Sequence, residues 1–319
     1  NLGDMPGLVA AAALLIDYVL NAAVSVTAGV AALASALPAL WPHRTPLSLA
    51  LLLLITLINL RGVREAGTVM AIPVYLFLFT YLPMLGFGLL RLLIEGPGSL
   101  AAAAPAAIQP VTLILMMNTF SAGCTALTGI EAISNGVPSF QSPEAKNAGR
   151  TLIVMAVLMA ALFAGSIGLT QYLAVIPDAQ ETILSALARR LLGSGFLYFG
   201  IQVSTMLVLA VAANTSFAGF PRLAAILAKD GFLPRQLTGL GDRLVFANGI
   251  IALALAARAL IVIFKGDIHA FIPLFAIGVF SAFTLSETGM VVHWVRQRQR
   301  GWPLQALMNG LGALVTGVT

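Results

Sequence analysis

The chain has 319 residues, of which 59% are hydrophobic and 9% charged, with a formal net charge of +5. This balance excludes an ordinary soluble globular domain and predicts a polytopic, all-α membrane protein. The basic residues are scattered between apolar runs, which argues against nucleic acid as a partner, and the single Cys124 rules out a disulfide framework within this chain.

Runs of about 20 apolar residues suffice to cross a hydrocarbon core of about 30 Å. Nine candidates follow along the chain: 6–36, 46–60, 66–93, 109–140, 150–174, 196–219, 246–264, 270–292 and 305 onward. Alternating sides places loops near 61–65, 141–150, 220–243 and 293–304 on one face, with eleven of the 17 Lys and Arg residues. The opposite face has five, and Arg258 lies within a span. The positive-inside rule makes the richer face cytoplasmic, so the first span runs from inside to outside. The outer stretch 177–195 spaces Glu181, Ser185, Arg189 and Arg190 as a surface helix. Stretch 222–243 predicts a short helix, a turn at Lys229-Asp230-Gly231 and a breaker at Pro234. The sequence opens on Asn1 and stops within an apolar stretch, so residues 1–319 are expected to form a single transmembrane domain truncated at both ends.

Polar groups inside the spans are the candidates for function. On the first span Tyr18, Asn21 and Ser25 fall at i, i+3 and i+7, one stripe of a helix otherwise rich in Leu, Val and Ala. Their hard oxygens suit a weakly coordinated alkali cation, and hydrogen bonding to a neighbouring helix is the competing use. Asp17, four residues before Asn21, offers a proton relay, an ion ligand or a structural partner for a basic group, the last being favoured. The stretch TALTGIEAISNGVPSFQSPEAKN, 125–147, sets Glu131 between Gly129 and Gly136, with Thr128 before it and Asn135 and Pro138 after it. Such a segment resists forming a continuous helix. A buried carboxylate at a helix centre costs about 2.5 kcal/mol or more. A break there frees carbonyls and exposes helix-dipole ends, which lipid tolerates only around a cavity. Glu131 then serves a cation, or hydrogen-bonds the unwound backbone. Glu287 reads as a second proton site, a partner for Arg296 or a structural group, and Arg258 as a side chain snorkelling outward. The spans contain no paired metal ligands and no nucleophile with a base, which disfavours an enzyme. An acid embedded in a broken helix likewise disfavours a non-transporting subunit or receptor.

The segment GIEAISNGVPSFQSPEAKNAGR resembles the sixth helix of the APC superfamily, and NLRGVREAG and LAAILAKDGFLP resemble its hallmarks too. DMPGLVAAAALLIDYVLNAAVSVTAGVAAL, NGVPSFQSPEAKNA and FIPLFAIGVFSAFTLSETGMVVHW are similar to the KimA-type potassium importers of the KUP family, through essentially the whole chain. The resemblance implies a LeuT-like, five-plus-five inverted-repeat fold, of which this chain covers the third to tenth helices and part of the eleventh. It implies a potassium path through Tyr18, Ser25, Thr128 and Glu131, with Glu131 coupling protons. Asn21 stands where the family has threonine, and Phe275 where it has tyrosine. No cofactor is implied besides potassium as substrate. A cytoplasmic C-terminal domain, linked to nucleotide regulation and homodimer formation, is expected beyond Thr319. The rival reading is a proton-coupled amino acid or polyamine permease of the same superfamily.

Overall fold

The computed structural model describes residues 2–62, 67–95, 110–124, 129, 133, 136–176, 178, 180–239, 246–298 and 301–318. Among them are ten α-helices. These are α1 (Asp4–Ala36), α2 (Arg44–Leu60), α3 (Gly67–Glu95), α4 (Leu113–Cys124), α5 (Glu144–Tyr172), α6 (Ile183–Leu192), α7 (Phe196–Lys229), α8 (Ala247–Ile263), α9 (Ile268–Gln297) and α10 (Trp302–Val318). Short 3-10 turns cover Pro38–His43, Val137–Ser139 and Arg235–Thr238. Helix is the expected solution for so apolar a chain, because it satisfies each backbone N–H and C=O without water. Six segments are long and apolar enough to cross a bilayer, namely α1, α2 with its preceding turn, α3, α5, α7 and α9, and α4 and α8 are shorter apolar helices.

The helices follow the predicted spans with two displacements. α5 begins at Glu144, so Lys146 and Arg150 ride on its first turns instead of in a loop. α7 runs through Pro221 to Lys229, so the predicted separate helix after 222 is the end of the preceding span. Proline removes one hydrogen bond from a helix, and neighbouring groups in a membrane bundle compensate for that loss. The chain then turns through Gly231, at φ +85°, before Pro234 opens the 3-10 turn.

Two compact units divide the chain: residues 1–24, 110–128 and 216–319 in one, and 25–109 and 129–215 in the other. In the first, α9 and α10 pack together along their lengths. α8 meets the end of α7 where Gly249 faces Pro221; a Cβ on Gly249 would lie 2.8 Å from the proline Cβ. Leu253, Ala257 and Ile261 of α8 are fully buried, a stripe at i, i+4 and i+8 that serves as its packing face.

The second unit has a core of Tyr81, Met84, Leu85, Leu169, Leu187, Leu191, Tyr198 and Ile201. Gly88 admits Leu169 so closely that a Cβ there would come within 2.7 Å of Leu169 Cδ1. Polar pairs bridge its helices: Asn59 Nδ2 donates to Asn214 Oδ1 (2.6 Å), Thr80 pairs with Ser204 (2.9 Å) and Tyr81 with Ser166 (2.7 Å). The predicted surface helix is α6, started by Thr182, whose hydroxyl accepts from the Ser185 N–H (3.3 Å), and stopped by Gly193 at φ +71°. Its buried side docks through Ser185, Leu187, Ala188 and Leu191. Arg189 Nη2 donates to the Ser35 carbonyl (3.0 Å) and the Tyr198 hydroxyl (2.9 Å) and pairs with Glu181 (3.1 Å). The Tyr198 bond raises the guanidinium pKa above its already high ordinary value, burial opposes the rise, and the charge of Glu181 adds to it. Tyr198, 1% exposed, also reaches the Ser35 carbonyl (3.1 Å) and Ser185 (2.7 Å).

Tyr198→Phe keeps the ring and strands these partners, so it is expected to destabilise the chain by about 1–3 kcal/mol, seen as a lower thermal midpoint in detergent. Gln202 is fully buried, and neither atom of its side-chain amide has a hydrogen-bond partner among the described residues. Gln202→Met, similar in shape and apolar, is therefore expected to leave that midpoint unchanged or raise it.

Candidate functional site

The first unit brings part of the predicted stripe against α7. Tyr18 is buried with its ring over Gly219, where a Cβ would lie 2.5 Å from Tyr18 Cζ and 2.8 Å from its hydroxyl oxygen. Glycine at 219 is thus a condition for the phenol's position. Three residues along each helix, Asn21 Nδ2 donates to Ser216 Oγ (2.8 Å), and Ser216 is fully buried. Residues i and i+3 share a helix face, so the pairs 18/21 and 216/219 meet as two matched steps. The bond to Ser216 engages the amide nitrogen of Asn21 and turns its oxygen the other way.

Ser25, one turn beyond Asn21 on α1, is buried and is the first residue of the second unit. Asp17 is buried at 3% exposure. Beside it α9 comes close to α1: a Cβ on Gly278 would lie 3.9 Å from the Ala13 carbonyl oxygen and from the Asp17 nitrogen. Phe275 is buried on α9.

Thr128 and Glu131 lie outside the described residues, and so does any juxtaposition of them with the α1 stripe. The backbone on either side is informative. α4 is described as far as Cys124, and Gly129 has φ +96°, a conformation that a right-handed α-helix cannot contain and that glycine adopts without strain. Gly136 N–H closes a turn on the Ile133 carbonyl (3.1 Å), and a 3-10 turn follows. The fourth span is therefore interrupted where the glycines predicted.

A cavity of about 600 Å³ in the first unit has a polar wall of Asn118 and Ser121 from α4, Ser281 and Thr284 from α9, and Thr316 from α10. None of these was singled out as a site from the sequence. Ser216 and Gly219 were missed too. The run Asn214-Thr215-Ser216 in an apolar span carried the signal, but its helix phase relative to α1 requires coordinates.

Comparison with known proteins agrees with this helical architecture. The sequence model of the family described as "Amino acid permease" matches residues 1–319. The chain belongs to the amino acid permease family. The chain is 44% identical over 319 residues to "Potassium transporter KimA" of Bacillus subtilis (strain 168), a match covering 99% of this chain and 52% of that protein. It is also 37% identical over 120 residues to "Low affinity potassium transport system protein Kup" of Yersinia enterocolitica serotype O:8 / biotype 1B, covering 37% of this chain and 19% of the relative. The chain thus spans about half the length of the KimA relative. It is a multi-pass, all-α membrane protein.

Gly219→Ala is expected to push Tyr18 off α7 and cost about 1–3 kcal/mol of stability. Adding Tyr18→Leu should recover part of that loss. A double-mutant cycle of thermal midpoints measures the coupling, which should be well above the few tenths of a kcal/mol seen for independent sites.

Proposed function

We propose that this permease is a secondary transporter, not an enzyme, that moves potassium into a bacterial cell together with protons by alternating access. The observation that carries the reading is identity of 44% with a protein named as a potassium transporter, sustained over 99% of this chain. The shorter match to a second potassium transport protein points the same way. The family's description names amino acids, which keeps an amino acid or polyamine as the rival substrate. Among the described residues, Ser216 brings a hydroxyl to Asn21 and Gly219 lies under Tyr18, groups that offer no positive charge to an amino acid's carboxylate.

In this reading Tyr18, Asn21 and Ser25 of α1 and Thr128 of the interrupted span supply oxygens to a potassium ion. Glu131 binds potassium or a proton in turn, and Asp17 takes part in the coupling. Burial raises a carboxyl pKa and a neighbouring cation lowers it, so arrival of potassium favours release of the Glu131 proton. The hydrogen bond from Asn21 to Ser216 supports the role given to Asn21, since an amide whose nitrogen is engaged presents its oxygen elsewhere. Helix-dipole ends at the break, marked by the φ of Gly129, are a natural place for a desolvated charge. The homodimer and the nucleotide acting on a C-terminal domain belong to the same reading.

Uptake of rubidium by cells deficient in potassium import, expressing the full-length protein, tests it at two external pH values. Wild type should concentrate rubidium faster at the lower pH. Glu131→Gln should lose at least about tenfold in rate, equivalent to about 1.4 kcal/mol, and lose the pH dependence of what remains. A well-inserted wild type without uptake would move the assignment to amino acid substrates, tested next with labelled amino acids.

A further inference from the structure

Glu287 is not among the ion-binding residues proposed above, and its surroundings on α9 and α10 are specific. Thr284 Oγ1 donates to Thr316 Oγ1 (2.8 Å). One turn along α9, with the Asn309 amide set in the orientation that satisfies both neighbours, Glu287 Oε2 accepts from its nitrogen (2.7 Å) and its oxygen accepts from the indole N–H of Trp294 (3.0 Å). Gly312 lets the carboxyl lie against bare backbone, since a Cβ there would be 3.2 Å from Glu287 Cδ and 3.4 Å from Oε2. Arg296, the partner considered from the sequence, is not engaged. Among the described residues no cationic side chain lies within ion-pair distance of this half-buried carboxyl.

The charges facing it from each neighbouring helix are few. α10 contains no ionisable residue, and α4 contains only Cys124. Leu2, just before α1, lies against Gly289, and Asp4 is in the first turn of α1. On α9 itself His293 stacks edge-on to Trp294 (5.1 Å between ring centres), and Arg296 is exposed two turns below Glu287. Above it, Ser281, Thr284 and Thr316 belong to the polar wall of the 600 Å³ cavity. Thr284 and Glu287 stand at i and i+3, which puts their Cβ atoms about 5–6 Å apart on one face. A carboxyl held by one neutral amide, with no cation beside it, is poorly suited to permanent charge in an apolar span. It is suited to exchanging a proton with water: Thr284, one turn along α9, lines the cavity, although Glu287 itself is not on the cavity wall.

We propose that Glu287 is a proton-binding site reached from this cavity, with Asn309 and Trp294 as its positioning residues. Its carboxylate takes one proton from water to form the neutral acid and returns it, and no other bond is made or broken. In what that proton does, the proposal rests on the proton-coupled transport reading. There Glu287 is a second proton group besides Glu131, and its occupancy sets the pH range of transport.

The test is pH-difference infrared spectroscopy of the full-length protein in lipid, with rubidium uptake measured on the same preparation. The expected result is a carbonyl-stretch band of a protonated carboxyl that titrates with pH and is lost in Glu287→Gln. Asn309→Leu removes a donor to the ionised carboxylate, so it should shift that titration to higher pH. Fluorescence of Trp294, with every other tryptophan of the full-length protein changed to Phe, should follow the same titration and lose it in Glu287→Gln. A wild-type-minus-Glu287→Gln difference spectrum without a titrating carbonyl band, the variant being folded, overturns the proposal. If that variant does not insert, Asn309→Leu decides: an upward shift supports the site and an unmoved titration overturns it. A wild type with the Glu287 band but no rubidium uptake sinks the transport reading and leaves the proton site standing.

Discussion

In lipid, a polar side chain must find its hydrogen bonds within the protein, and this constraint organises the helix packing here. α7 is the plainest case. Ser204 pairs with Thr80 of α3, and Asn214 accepts from Asn59 of α2 in one unit. Ser216 accepts from Asn21 of α1 in the other. Apolar surface does not discriminate among helix rotations in a hydrocarbon solvent, because lipid tails pack as well as leucine does. The polar pairs do discriminate, since each forms at only one rotation of each helix. Glycines complete the device by letting a ring or carboxyl approach backbone, as Gly219 does under Tyr18 and Gly312 beside Glu287.

That division of labour explains what was legible in the sequence. Spans emerge from composition over twenty residues, so α1, α3, α8 and α9 fell close to their predicted bounds. α7 outran its prediction because Arg222 and Lys229 depress local hydropathy without preventing helix, and Pro221 reads as a breaker although the helix continues through it. The interruption after α4 was readable because Gly129 and Gly136 are chemically exceptional in such a span, and the φ of Gly129 agrees. The surface helix was readable from charge spacing alone.

The site was only half legible. Periodicity placed Tyr18, Asn21 and Ser25 on one face of α1, but the partners of that face, Ser216 and Gly219, lie nearly two hundred residues away. Of the two uses considered for the stripe, Asn21 shows interhelical bonding, its nitrogen donating to Ser216, while ion binding belongs to the proposed function. Glu287 shows the opposite outcome. Proximity in sequence suggested Arg296, yet the partner is Asn309 of the next helix, where α10 returns antiparallel and brings a neutral amide to the acid.

That return has a mechanical consequence. Asn309, Gly312 and Thr316 recur on α10 at i, i+3 and i+7 and mate with Glu287 and Thr284. A slip of α10 by one turn, about 5.4 Å, would break both polar contacts together and set larger side chains against the carboxyl where Gly312 now stands. The seam behaves as a keyed joint: axial force applied to α9 is delivered to α10 without sliding, so the two helices move as one rigid bar.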